Sequence, residues 1–194
     1  GAPAPYDSRD AYAFASGEAV MELLKHKLRP RDIVTRKALE NAAAVVAATG
    51  GSTNGALHLP AMAHEAGIAF DLHDVGEIFH KTPYIADLKP GGNFIAKDLF
   101  HVGGIPIVMK ALLEGGYLHG DCLTVTGKTM EENLRDITFP TDQKVVYPVS
   151  NPITKTGGVV TLKGNLAPEG AIVKVAGMKN LTFTGPARVF ECEE

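Results

Sequence analysis

Cysteine is scarce in this sequence. Cys122 and Cys192 are the only two among 194 residues, and no Cys-x-x-Cys spacing occurs. That excludes a disulfide-stapled scaffold and fits a reducing cytoplasm. No apolar run approaches the roughly 20 residues that a helix needs to cross a bilayer. An excess of charge of one sign is missing too: 19 Lys and Arg stand against 22 Asp and Glu, for a formal net charge of −3. Scattered basic residues under a slightly acidic balance exclude a nucleic-acid or anionic-membrane partner. The opening GAPAPYDSRD lacks the charged-then-apolar pattern of a signal peptide. With the abrupt close GPARVFECEE, it gives the expectation of a fragment of a longer polypeptide.

What is present is an ordinary globular composition, 45% hydrophobic and 21% charged, enough for one core and part of a second. Asp7 or Ser8 caps a predicted helix that runs to Lys27 with Tyr12, Ala15, Ala19, Leu23 and Leu24 on one face, and Pro30 ends it. Thr35 is the N-cap of a second helix through ALENAAAVVAAT, stopped at Gly50-Gly51, whose alanines imply close packing. Ser52 starts a third, which Gly67 stops. Asp74 and Glu77 have capping-box spacing for DVGEIFHKT, closed by Pro83. LKPGGN reads as a turn, HVGGIPIVMKALLEGG as an apolar helix, CLTVTG as a short strand, and Thr129 with Glu132 as a second capping box.

After Asp136 the texture changes. The proline-bearing FPTDQKVVYPVSNPITKTGG reads as a linker; GVVTLKGN, GAIVKVAG and LTFTGPARVFE then read as strands between glycine turns. The expected fold class is therefore mixed α/β. Residues 1–137 read as a helix-rich part, 138–157 as a linker, and 158–194 as the start of a β-rich part. Strands after Gly157 are expected to leave unpaired edges and exposed apolar side chains.

Four constellations offer chemistry. In Gly50-Gly51-Ser52-Thr53-Asn54 the free N–H groups of a helix start, the glycines and the hydroxyl and amide side chains suit an anion. The same residues equally make a capped turn, and without a P-loop lysine they are no nucleotide cradle. His58 and His64 lie six apart, not the three or four that puts two ligands on one helical face. With His80, His101 and His119 they read as structural histidines. His119-Gly120-Asp121-Cys122 invites a nucleophile or metal reading, but Cys122 runs into the apolar LTV and reads as buried and inert. Lys89, in the turn of DLKPGGN, is placed to reach an anion but reads first as a surface lysine.

Four segments carry a resemblance in order along nearly the whole chain: ATGGSTNGALHLPAMAHEAG, TPYIADLKPGGNF, LFHVGGIPIVMKALLEGGYLHGDCLTVTGKTMEENL and LKGNLAPEGAIVKVAGMKNLTFTGPARVFE. Together they resemble the dihydroxy-acid dehydratase family, which also contains 6-phosphogluconate dehydratase and the sugar-acid dehydratases. GGSTNxxLHLxAxAHEAG followed by LHGDCLTVTGKT is most similar to the dihydroxy-acid dehydratase branch, with Gly55 standing where alanine is more familiar.

The resemblance implies a hydro-lyase of branched-chain amino-acid biosynthesis that converts a 2,3-dihydroxy carboxylate to a 2-oxo acid. An iron–sulfur cluster acts on the leaving hydroxyl, Mg²⁺ holds the carboxylate, and a serine takes the C2 proton. It places the cluster cysteines upstream of Gly1 and the metal-binding glutamate and base serine past Glu194. No catalytic or metal-ligating residue is therefore expected in this chain, which is expected to be inactive alone and to come from a cytoplasmic homo-oligomer. Ser52, Thr53 and Asn54 are the expected substrate-binding residues, toward a small dihydroxy acid. A sugar-acid or phosphogluconate dehydratase, or a non-catalytic anion-binding module, are the alternatives.

Overall fold

In the computed structural model, residues 3–193 are described. The order is α1 (Ser8–Lys25), α2 (Pro30–Ile33), α3 (Arg36–Ala48), α4 (Gly55–Ala66), α5 (Leu72–Lys81), α6 (Ala96–His101), α7 (Ile105–Glu114), α8 (Met130–Leu134), β1 (Val159–Gly164) and β2 (Ala167–Lys174). The chain is thus mixed, helix-rich first and stranded later. The two strands pair antiparallel, Val159 opposite Lys174 and Leu162 opposite Ala171, with an irregularity between Leu162 and Gly164.

The core is organised by α3, which packs against α4, α5 and α7. Thr35 caps it as expected, its Oγ1 accepting the Ala38 N–H at 3.2 Å. Ala43, Ala44, Ala47 and Ala48 are all buried. Small methyls on adjacent turns let backbones approach, so the alanine run means close packing here. A Cβ added at Gly157 would lie 2.8 Å from that of Ala47. The residues around α3 include Val75, Ile78 and Phe79 of α5 and Val108 and Leu112 of α7.

The segment between Asp136 and Gly157 contributes to this core. Val145 and Val146 are buried. Gln143 holds them there: its Oε1 accepts both of their N–H groups at 2.8 Å, and its Nε2 donates to the Val146 carbonyl at 2.6 Å. Extended residues 84–87 receive this segment, with bridges Tyr84–Thr154 and Ala86–Val146.

Several expected boundaries differ. α1 ends at Lys25, and Lys27 takes a positive φ of 55°. Pro30 opens α2 instead of ending α1, because a proline at the first helical position loses no hydrogen bond. No residue of α1 is fully buried. Tyr12 and Leu24 of its expected inward face remain exposed, and only Ala19 and Leu23 are partly covered.

Helix α5 starts earlier than Asp74. Asp71 is its N-cap, accepting from His73 and Asp74, and the Asp74 carboxylate reaches back to the Asp71 N–H at 2.9 Å. The capping box is real but belongs to Asp71 and Asp74, an aspartate performing the return contact expected of Glu77. CLTVTG is a turn with a single bridge, Leu123–Thr129. Its Thr124 and Thr126 hydroxyls hydrogen-bond each other and Asn133, an alternative to a strand ladder. LTFTGPARVFE takes no regular secondary structure and pairs with no strand among the described residues, and Leu181, Phe183, Val189 and Phe190 are exposed. The Thr129–Glu132 box and the left-handed Gly67 stop stand as expected.

Gly76 is where α5 meets β1. A Cβ there would overlap Thr161 Oγ1 and lie 2.8 Å from its Cγ2. Gly76→Ala therefore should lower stability by about 1–3 kcal/mol through overpacking. Adding Thr161→Ala should recover part of it, since the interfering branch is removed. Urea denaturation midpoints of the two variants check both statements; equal midpoints for Gly76→Ala and wild type would refute the contact.

Candidate functional site

The turn from α3 into α4 is built by α3's C-terminus. The Gly50 N–H donates to the Ala47 carbonyl and the Gly51 N–H to Val46 at 3.0 Å, with Gly50 at a φ of 56° that favours glycine. Ser52 does cap, but not by beginning the α-helix. Its Oγ accepts the Asn54 N–H at 3.1 Å and its carbonyl accepts from Gly55, a tight turn that delays α4 until Gly55. Inside α4, Pro60 removes one backbone donor. A methyl at Gly55 would stand 3.2 Å from Val46 Cγ1, so glycine relaxes a crowded contact with α3.

What remains at this turn is a set of donors. The N–H groups of Ser52 and Thr53, the Thr53 hydroxyl and the Asn54 amide have no hydrogen-bond partner among the described residues. Ser52 and Asn54 are exposed and Thr53 is half-buried. Free backbone donors at the start of a 12-residue helix carry partial positive charge, so the turn is chemically competent to hold an oxyanion.

Folding brings a second sequence-singled loop beside it. In the LKPGGN turn, Asp87 accepts from the Asn93 N–H and amide at 3.1 and 2.8 Å. Added Cβ atoms at Gly50, Gly91 and Gly158 would each lie about 3 Å from the methyl of Ala176, at 3.0, 2.9 and 2.9 Å. Three glycine turns therefore converge on one small side chain. Lys89 is exposed and forms no ion pair among the described residues. Tyr84 closes the junction from below and is buried. Burial first, and the Asp87 carboxylate second, push its phenol above the ordinary value, with the Leu88 N–H opposing. Tyr84 and Ala176 escaped the sequence reading because neither type in isolation signals a ligand. The glycines of the flanking turns were the available sign.

The histidines do not assemble. His58 and His64 are exposed on α4. His101 meets the Tyr6 hydroxyl at 3.2 Å, and His80 lies beside Glu77 and Thr161 in a shallow cavity of about 280 Å³ at the α5–β1 contact. His119 is the best connected. Its Nε2 is 2.6 Å from Glu40 Oε2, and its backbone exchanges two hydrogen bonds with the buried Asn41 side chain. Cys122 is buried, and burial raises its thiol above the ordinary value, with Asp121 adding to the effect. That is the setting of a protonated, unreactive thiol. Among the described residues no group of three or more His, Cys, Asp or Glu is arranged to hold a metal ion. These residues do not fit an iron–sulfur cluster or a divalent cation.

The charged network beside His119 is structural. Arg36 joins Glu40 at 3.1 Å to Asp74 at 2.5 Å, tying α3 to α5. Arg36 holds the Asp74 carboxyl below its ordinary value, the Asp71 N–H helping and desolvation opposing. A depressed carboxyl stabilises the fold above its unfolded pKa, about 3.9, and loses that contribution as pH falls through the lower folded value. With partial exposure of both side chains the pair is worth about 1 kcal/mol. Asp74→Asn is expected to be less stable than wild type by about that amount at pH 7, with the gap closing as pH falls below the ordinary carboxylate range. Denaturation midpoints along a pH series test this; a constant gap would refute it.

Comparison with known proteins adds the following. Residues 1–133 match the family model described as Dihydroxy-acid/6-phosphogluconate dehydratase N-terminal, and residues 144–194 match its C-terminal counterpart. The whole chain is 71% identical to the dihydroxy-acid dehydratase of Parvibaculum lavamentivorans and 71% identical to dihydroxy-acid dehydratase 2 of Bradyrhizobium diazoefficiens, covering 34% of each. Over 99% of its length it is 54% identical to the dihydroxy-acid dehydratase of Acidothermus cellulolyticus, covering 35% of that protein. The chain thus spans about a third of the length of these relatives.

Proposed function

Because the chain belongs to the dihydroxy-acid/6-phosphogluconate dehydratase family, we propose that it is part of a dihydroxy-acid dehydratase, a hydro-lyase acting in branched-chain amino-acid biosynthesis. The supporting observation is 71% identity along the entire chain to relatives of that name. In this reading residues 1–137 end the N-terminal domain, 138–157 link, and 158–194 begin the β-rich C-terminal domain. The complete protein works in the cytoplasm as a homo-oligomer. None of the helices in the described residues is long and apolar enough to cross a membrane.

Within the reaction, this chain's task is to bind. The substrate is a small carboxylate, and the Ser52–Asn54 turn offers it unpaired donors at the positive end of α4. Ser52 and Thr53 present backbone N–H groups, while the Thr53 hydroxyl and Asn54 amide fix the orientation of the oxyanion. An iron–sulfur cluster and Mg²⁺, held by polypeptide other than this chain, supply the Lewis acidity for loss of hydroxide. The chain by itself accordingly turns over no dihydroxy acid.

Asn54 separates binding from capping, since its side chain takes no part in the turn. Asn54→Ala in the full-length enzyme should leave the melting temperature within about 1 °C and raise KM for the dihydroxy acid several-fold, on the order of one lost hydrogen bond to a charged group. Unaltered KM would reduce the motif to a turn. Trials with 2,3-dihydroxy acids, sugar acids and 6-phosphogluconate decide the substrate; preference for a sugar acid would move the protein to the neighbouring branch of its family.

A further inference from the structure

Tyr84 is 3% exposed, and its hydroxyl makes no hydrogen bond of good geometry among the described residues: the nearby Leu88 N–H, which lowers the phenol's value slightly, donates to the Ala86 carbonyl at 2.9 Å. A buried polar group left unmatched costs about 1–3 kcal/mol, so native structures almost always match it. The nearest acid does not serve: both Asp87 oxygens accept from Asn93 instead. The hydroxyl end of the ring is the part that rests on Gly50. A Cβ added there would lie 2.8 Å from Tyr84 Cε2 and 3.1 Å from Cζ. Gly50 in turn begins the turn whose Ser52, Thr53 and Asn54 donors are unfilled.

We propose that the Tyr84 hydroxyl donates a hydrogen bond to the anion bound at Ser52–Asn54, so that the phenol and the start of α4 form one carboxylate-binding corner. The inference rests on the dihydroxy-acid reading above and extends it to a substrate-contacting residue. Three features support it. The Ser52 and Thr53 N–H groups, the Thr53 hydroxyl, the Asn54 amide and the phenol can all donate, which complements a carboxylate. Burial keeps the phenol in its neutral, donating form. Gly50, Gly91 and Gly158 bring only backbone to the spot, where side chains would close over the ring and Ala176.

The test is Tyr84→Phe in the full-length enzyme loaded with its metal cofactors, which keeps the ring and removes only the hydroxyl. KM for the dihydroxy acid should rise about tenfold with kcat within about twofold, the pattern of lost ground-state and transition-state binding alike. The melting temperature should stay level or rise, because an unmatched group has been removed. Calorimetric titration of the dihydroxy acid should show the same loss in Kd. Combining the change with Asn54→Ala should cost less than the product of the two single effects, as for donors sharing one ligand. If the wild type converts the acid but Tyr84→Phe keeps its KM, with or without a lower melting temperature, the hydroxyl is a structural group and this inference falls alone. If the wild type neither binds nor converts any dihydroxy acid, the functional reading falls and takes the inference with it.

Discussion

The carbonyls at the end of α3 are the constraint on which the rest of the fold depends. A helix leaves its last carbonyls without intrahelical partners. Here distant chain supplies them: the Ala48 carbonyl accepts the N–H groups of Ile85 and Ala86 at 2.9 and 3.0 Å, and Ala47 accepts that of Gly158 at 3.1 Å. Each bond is worth about 1 kcal/mol net, and together they fix where two later segments cross the helix end. Only alanine methyls facing glycine allow the approach, because larger side chains at Ala47 or Gly157 would separate the backbones. From Gly158 the chain continues directly into β1, and the Gly158 carbonyl accepts the N–H groups of Val175 and Ala176 at the far end of β2. Strand pair, glycine junction and α4 start are all placed by the same helix terminus.

Much of this was legible in the sequence where a local signal decides the structure. Thr35, Gly67 and the Thr129–Glu132 pair act on their own neighbours, so their residue types suffice. The failures lie where two local signals compete or where partners are remote. Asp71 and Asp74 both cap, and the earlier one wins because Leu72 and Val75 can then point into the core. Pro30 signals a helix end and a helix start equally. CLTVTG has strand composition, but its threonine hydroxyls bond to each other and to Asn133, which favours a turn. LTFTGPARVFE alternates like a strand, and no other described strand lies beside it to complete a ladder. GGSTN was readable as a donor turn, whereas the packing of Tyr84 and Ala176 on Gly50 depends on residues remote in the chain.

The electrostatics are correspondingly modest. Arg36 links α3, α5 and the Ala69 carbonyl, and stacks over Phe70 at 5.4 Å. His119 and Asn41 join the chain before α8 to α3. These contacts orient helices around the alanine-lined core.

The left-handed conformation of Gly50 carries a kinetic consequence. Its backbone is held between Tyr84 and Ala176, the second of which arrives only after more than a hundred intervening residues have been laid down. Closing so long a loop is slow compared with forming α3 or α4. The glycine junction is therefore assembled last, and a chain stalled before β2 docks would present two well-made helices with their junction still unshaped.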